Sequence, residues 1–106
     1  MAVLVILENK GDPEKLLPAA DELTRRCGRV EGLLFSAIAE TGDGTVLIHL
    51  WESQEVRERF HGNQALGDAY AAVGWESLVE EQVGREFVTD RVQIFGPTQD
   101  YMEPAV

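Results

Sequence analysis

A chain of 106 residues is the size of one domain, and 44% hydrophobic with 26% charged residues is the make-up of a globular protein with a single core. Nineteen acidic against nine basic residues leave a formal charge of −10, which repels phosphate backbones and anionic lipid and argues against nucleic-acid and membrane partners. A single cysteine, Cys27, excludes an intramolecular disulfide and suits a reducing, cytoplasmic setting.

Ala2–Leu7 is a short continuous apolar run that ends at Glu8-Asn9-Lys10-Gly11. It reads as a buried strand with both faces apolar, and Asn9 falls past its end. Asp12-Pro13-Glu14 is a helix start: Asp caps free N–H groups, Pro fits the first helical position, and Glu suits the positive pole. Leu16, Ala20, Leu23 and Cys27 then form one apolar stripe, which puts the thiol in the core. Pro18 lies past the first turn and is expected to kink the helix or delay its start. Gly28 stops it, and Arg25, Arg26 and Arg29, a cluster that offers an anion site, read first as positive charge at the negative helix pole.

Leu33–Ala39 and Thr45–Trp51 flank Thr41-Gly42-Asp43-Gly44 and predict an antiparallel hairpin whose turn uses φ > 0. The second strand is apolar on both faces, Val46, Ile48 and Leu50 on one and Leu47, His49 and Trp51 on the other. Ser53 is the expected N-cap of a second helix carrying Val56 and Phe60. His61-Gly62-Asn63 interrupts that helix, and Asn63 caps a continuation through Ala65, Leu66, Ala69, Tyr70 and Val73. After Gly74, the residues Trp75, Leu78, Val79 and Val83 are spaced for a short helix. Phe87–Phe95, with polar Thr89, Asp90, Arg91 and Gln93, reads as an edge strand.

The resulting fold class is α+β, in the order β-α-β-β-α-β with an extra short helix before the last strand. That is the ferredoxin-like pattern, an antiparallel sheet with its main helices on one face. Residues 1–96 form the expected domain and 97–106 a tail, in which Tyr101 and Met102 are candidates to cover a partner's pocket. The helices cover one apolar sheet face. The other is expected to meet a second copy in a homodimer.

From Ala2 to about Phe95 the chain resembles the antibiotic biosynthesis monooxygenase (ABM) domain family of dimeric α+β barrels. The most specific segments are VEGLLFSAIAE and LIHLWESQEVRERF, where a strand ending in Trp-Glu-Ser leads into a helix. The resemblance implies a cofactor-independent monooxygenase acting on a small aromatic or quinol-type substrate, with no cofactor and no metal. Trp51 matches a pocket tryptophan of the quinone-forming members. Leu47 and Arg57 stand where those enzymes have Asn and Tyr. Phe60 and Tyr70 stand where the haem-degrading members have Trp and His, and Asn9 loosely matches their strand Asn. His61 lies one residue after a common family His.

The family geometry implies a pocket between sheet and helices lined by Leu47, His49, Trp51, Phe60 and Tyr70. Trp and Tyr offer stacking surface with one polar group each, and His49 is the candidate general base. The competing reading makes Trp51, Phe60 and Tyr70 plain core, His49 a satisfied buried imidazole, and the protein a non-catalytic dimeric module for a small ligand or for regulation.

Overall fold

A computed structural model describes residues 1–94. The end of the domain expected at 96, the last residue of the strand expected over Phe87–Phe95, and Tyr101 and Met102 lie outside the described residues. The elements run β1 (Ala2–Lys10), α1 (Pro13–Cys27), β2 (Leu33–Thr41), β3 (Gly44–Trp51), α2 (Gln54–His61), α3 (Gln64–Val73), α4 (Trp75–Leu78) and β4 (Glu81–Thr89). The sheet order is β2-β3-β1-β4 with every neighbouring pair antiparallel, which is the ferredoxin-like arrangement.

Caps fix the helix starts. Asp12 Oδ1 accepts from Glu14 N at 3.0 Å, Ser53 Oγ from Val56 N at 3.2 Å, and Asn63 Oδ1 from Ala65 N at 2.8 Å. The helix predicted to kink at Pro18 instead runs unbroken from Pro13 to Cys27. Pro18 removes one backbone donor, while Leu16 and Ala19 on either side of it are buried and hold the helix in place. Cys27 is not in the core; the stripe turns toward Ala19, and the thiol is half-buried at the helix end.

Other boundaries shift for similar reasons. The first strand extends to Lys10, so Asn9 lies within it and is buried, paired across the sheet with Thr45 and Gln82. The last strand begins at Glu81 and ends at Thr89, earlier than its aromatic residues suggest. Its start is set by pairing: Glu80 N donates to Lys10 O at 2.8 Å, which also takes Val83 out of the short helix and into the sheet. The hairpin turn is Gly42-Asp43, and neither residue takes the left-handed φ expected of them. Asp43 O instead accepts from Gly11 N at 3.0 Å, tying the turn to the β1–α1 junction. The glycine that the hairpin requires is Gly44, where a Cβ would lie 1.8 Å from Asn9 O.

Register sorts the two faces. On one, Val3, Val5 and Trp51 form a buried cluster against which Val30, Leu33, Val56 and Phe60 pack. This is the helix-covered face. On the other, Phe35, Leu50, Leu4 and Phe87 make a row across all four strands, followed by Ala37, Ile48, Ile6 and Arg85. Phe35 is 37% and Phe87 50% exposed at the two ends of the first row, where no helix lies over them. A bulge at Leu34 separates Leu33 on the covered face from Phe35 on the open one. No helix among the described residues is long and apolar enough to cross a membrane.

The Gly44 contact gives a direct test. Gly44→Ala is expected to lower stability by about 3 kcal/mol in urea unfolding, because the backbone it meets cannot move aside as a side chain would.

Candidate functional site

The chemistry-bearing side chains gather at the junction of β3 and α2, on the helix-covered face. Trp51 closes β3 and is 1% exposed. Ser53 then caps α2, which returns Phe60 over the indole with ring centroids 5.1 Å apart. His49, two residues earlier on the same strand face, meets Trp51 edge-on at 5.7 Å. His61 reaches the group from the end of α2, 6.3 Å from Trp51 and 5.7 Å from Phe60. The four rings form one continuous aromatic cluster.

Electrostatics around the cluster keep both imidazoles neutral. His49 is pushed down to about 4, by burial first and then by its neighbours His61, with which it cannot readily share a second proton, and the cation Arg57. His61 is also lowered, by burial and by Arg57. Arg57 itself is paired across the sheet layer with Glu86. Glu86 and His49 flank Val5 in register, so this ion pair stands beside the imidazole. A neutral His49 can accept a proton, but its lowered pKa makes it a weak base.

A cleft of about 630 Å³ opens beside the cluster. One wall is the connector after α1, with Cys27, Arg29, Val30 and Glu31. The other is the β3–α2 junction and α2, with Glu52, Ser53, Val56, Arg59, Phe60 and Asn63. Of the five residues expected to line one pocket, Phe60 alone lines this cleft; Trp51 lies behind it, and Leu47, His49 and Tyr70 are not in its walls.

No protein-family model matches this sequence, and no curated protein matches it either. Its fold is nonetheless shared by solved structures. A Chloroflexus aurantiacus protein named for antibiotic biosynthesis monooxygenases superposes with a TM-score of 0.72 at 17% identity, covering 91% of this chain and 100% of its own. SnoaB from Streptomyces nogalater, a cofactor-independent oxygenase, superposes at 0.63 and 13% identity over 86% of this chain and 93% of its own. A protein of unknown function from Thermobifida fusca, described as dimeric and ferredoxin-like, gives 0.64 and 11% over 84% and 92%. The chain has the ABM-like fold.

Within that ABM-like fold the residues singled out from the sequence are placed in different surroundings. His49, Trp51 and Phe60 come together. Leu47 lies on the same strand face as His49, one step further from Trp51 and opposite Leu7 and Ile38. Tyr70 stands elsewhere: it meets Trp75 edge-on at 6.3 Å and lines a second cavity with Ala71, Gly74, Glu76 and Ser77. Its phenol is raised by burial and by Cys27, which places it in the layer between α1, α3 and α4. Among the described residues no group of three or more His, Cys, Asp or Glu side chains converges.

Of the charged residues in the walls of the cleft, the sequence singles out only Arg29, in the basic cluster with Arg25 and Arg26. Arg25 and Arg26 pair with Asp21 and Glu22 one turn back, as a helix end should. Arg29 follows the helix stop at Gly28 and has Arg25, not an acid, four residues before it. That was the available signal that it serves another purpose. The Arg57–Glu86 pair had no signal, since its partners are joined only by tertiary packing.

The lowered His49 pKa has a consequence for stability. In the unfolded chain the ring takes its proton near 6.5, in the folded protein near 4. Stability is therefore full above pH 6.5 and is lost as pH falls toward 4. The expected loss is on the order of 2 kcal/mol after discounting for the partly solvated ring. Urea midpoints at neutral and acid pH check it, and His49→Gln is expected to flatten most of the difference.

Proposed function

We propose that the protein binds a small, flat aromatic or quinol-type molecule beside Phe60 and acts on it as a cofactor-independent monooxygenase. The observation that carries this reading is the junction of an open cleft with the Phe60–Trp51–His49 cluster. Phe60 with Val30 and Val56 offers such a ligand an apolar face, and the charged and polar residues around it can fix its orientation. The substrate supplies the electrons: one oxygen atom of O₂ enters a ring-flanked methylene to make a carbonyl, and the other leaves as water. The protein contributes positioning, exclusion of water and a neutral imidazole at His49 to take a proton from the substrate. Trp51 backs the site through Phe60. The class of reaction is supported by the shared fold of the Streptomyces cofactor-independent oxygenase and of the Chloroflexus protein named for antibiotic biosynthesis monooxygenases.

A second reading is binding without turnover. The near-complete burial of Trp51 and the weak basicity of His49 favour it. Oxygen consumption separates the two. With an anthrone, uptake above spontaneous oxidation is expected, falling at least about tenfold in His49→Gln. Binding of the anthrone with no uptake would leave the binding module standing.

The protein is proposed to work as a homodimer in the cytoplasm. The open sheet face, with its row Phe35, Leu50, Leu4 and Phe87, is the surface that a second copy would cover. A Thermobifida protein of the same fold is described as dimeric. Light scattering is expected to give twice the chain mass, and Phe87→Arg to shift it toward the monomer without unfolding it, since this side chain is half exposed.

A further inference from the structure

The cleft beside Phe60 carries charges of both signs. Each wall contributes one cation and one anion, Arg29 with Glu31 on the connector and Arg59 with Glu52 on the α2 side. The ion pairs among the described residues all lie elsewhere: Lys10 with Glu81, Arg25 with Asp21, Arg26 with Glu22, and Arg57 with Glu86. Among the described residues none of the four cleft charges makes an ion pair, although two of each sign share one cavity.

The walls are held apart by backbone geometry. Glu52 N donates to Gly32 O at 2.8 Å, which pins the end of β3 to the connector. Gly32 has φ 84°, and a Cβ there would lie 2.3 Å from Val56 Cγ1, so only glycine lets the connector lie against α2. Ser53 fixes the first turn of α2. The charges project from two walls set before any ligand arrives, a condition that lowers the ordering cost of binding. Cys27 adds no charge, because burial pushes its thiol up and keeps it protonated.

We propose that this cleft binds a small aromatic zwitterion of amino-acid type, its ring on Phe60, its carboxylate between Arg29 and Arg59, and its ammonium toward Glu31 and Glu52. The proposal names the ligand class for the aromatic site and rests on the reading that a flat ring docks beside Phe60. Net cleft charge selects the zwitterion. A simple anion meets Glu31 and Glu52 as well as a chain of net charge −10, and a simple cation meets both arginines. Only a ligand carrying both signs satisfies all four groups. Guanidinium forks suit a carboxylate, and a cavity of about 630 Å³ holds a ligand of this size.

Calorimetry with three probes tests it at neutral pH and low salt. L-tryptophan carries both charges, indole-3-propionate lacks the ammonium, and tryptamine lacks the carboxylate. L-tryptophan is expected to bind at least about tenfold more tightly than either analogue. Arg59→Gln should weaken L-tryptophan and indole-3-propionate but not tryptamine, and Glu52→Gln should weaken L-tryptophan and tryptamine but not indole-3-propionate. Both side chains are exposed, so neither variant threatens folding. Equal affinities for the three probes, no heat with L-tryptophan at millimolar concentration, or indifference to both substitutions would overturn the proposal. Oxygen uptake with the anthrone is scored separately. Uptake without L-tryptophan binding removes the zwitterion and keeps the oxygenase, and binding without uptake does the reverse.

Discussion

A central strand that is apolar on both faces has to be covered twice, and β3 imposes that demand on the whole molecule. One cover comes from its own chain. Trp51, at the end of β3, is the largest fully buried side chain and joins Val3 and Val5 beneath Val56 and Phe60 of α2. Burying side chains of this size is worth about 2–3 kcal/mol each, so this cluster anchors the helix layer to the sheet. The turn from strand to helix is set within a few residues by the Ser53 cap.

The same packing creates the site. Because α2 must bring Phe60 down on Trp51, its exposed flank faces the connector after α1, and the gap between them is the cleft. Because His49 is two residues before Trp51 on the same face, the imidazole is carried into the helix–sheet layer and loses its charge. Stability and site therefore draw on one set of side chains. This is why an aromatic cluster of this kind serves equally as core and as pocket wall.

The second cover is of another kind. The open face presents an apolar row whose ends, Phe35 and Phe87, are held out at the sheet edges. Arg85 and Glu8 break the greasy surface on β4 and β1, close to Ile6 and Val83. A face with this mixture is suited to a partner of defined register, because like charges set opposite one another would be penalised. The helix layer and the open face are thus two solutions to one excess of apolar surface.

Much of this was legible in the order of residues. Period-two apolar runs, the caps at Asp12, Ser53 and Asn63, and the breaks at Gly28 and Gly74 are local signals, and local signals suffice for element order and for the ferredoxin-like class. The doubly apolar β3, with His49 and Trp51 on one face, also follows from periodicity, while the place of Phe60 beside them was implied only by the family resemblance. Long-range pairing decided the rest. The extent of β1 and the start of β4 depend on hydrogen bonds between strands more than seventy residues apart, as Asn9 with Gln82 shows. The straight passage of α1 through Pro18 depends on burial of its neighbours, and the hairpin turn depends on a bond to Gly11. Tyr70 went to the α1–α3–α4 layer, and Arg29 and Arg59 came together across a cleft, because side chains distant in sequence meet only once the layers have packed. Sequence determined which faces needed cover; tertiary structure alone decided how the helices cover one of them and which charges share the cleft, because those contacts form only once the layers pack.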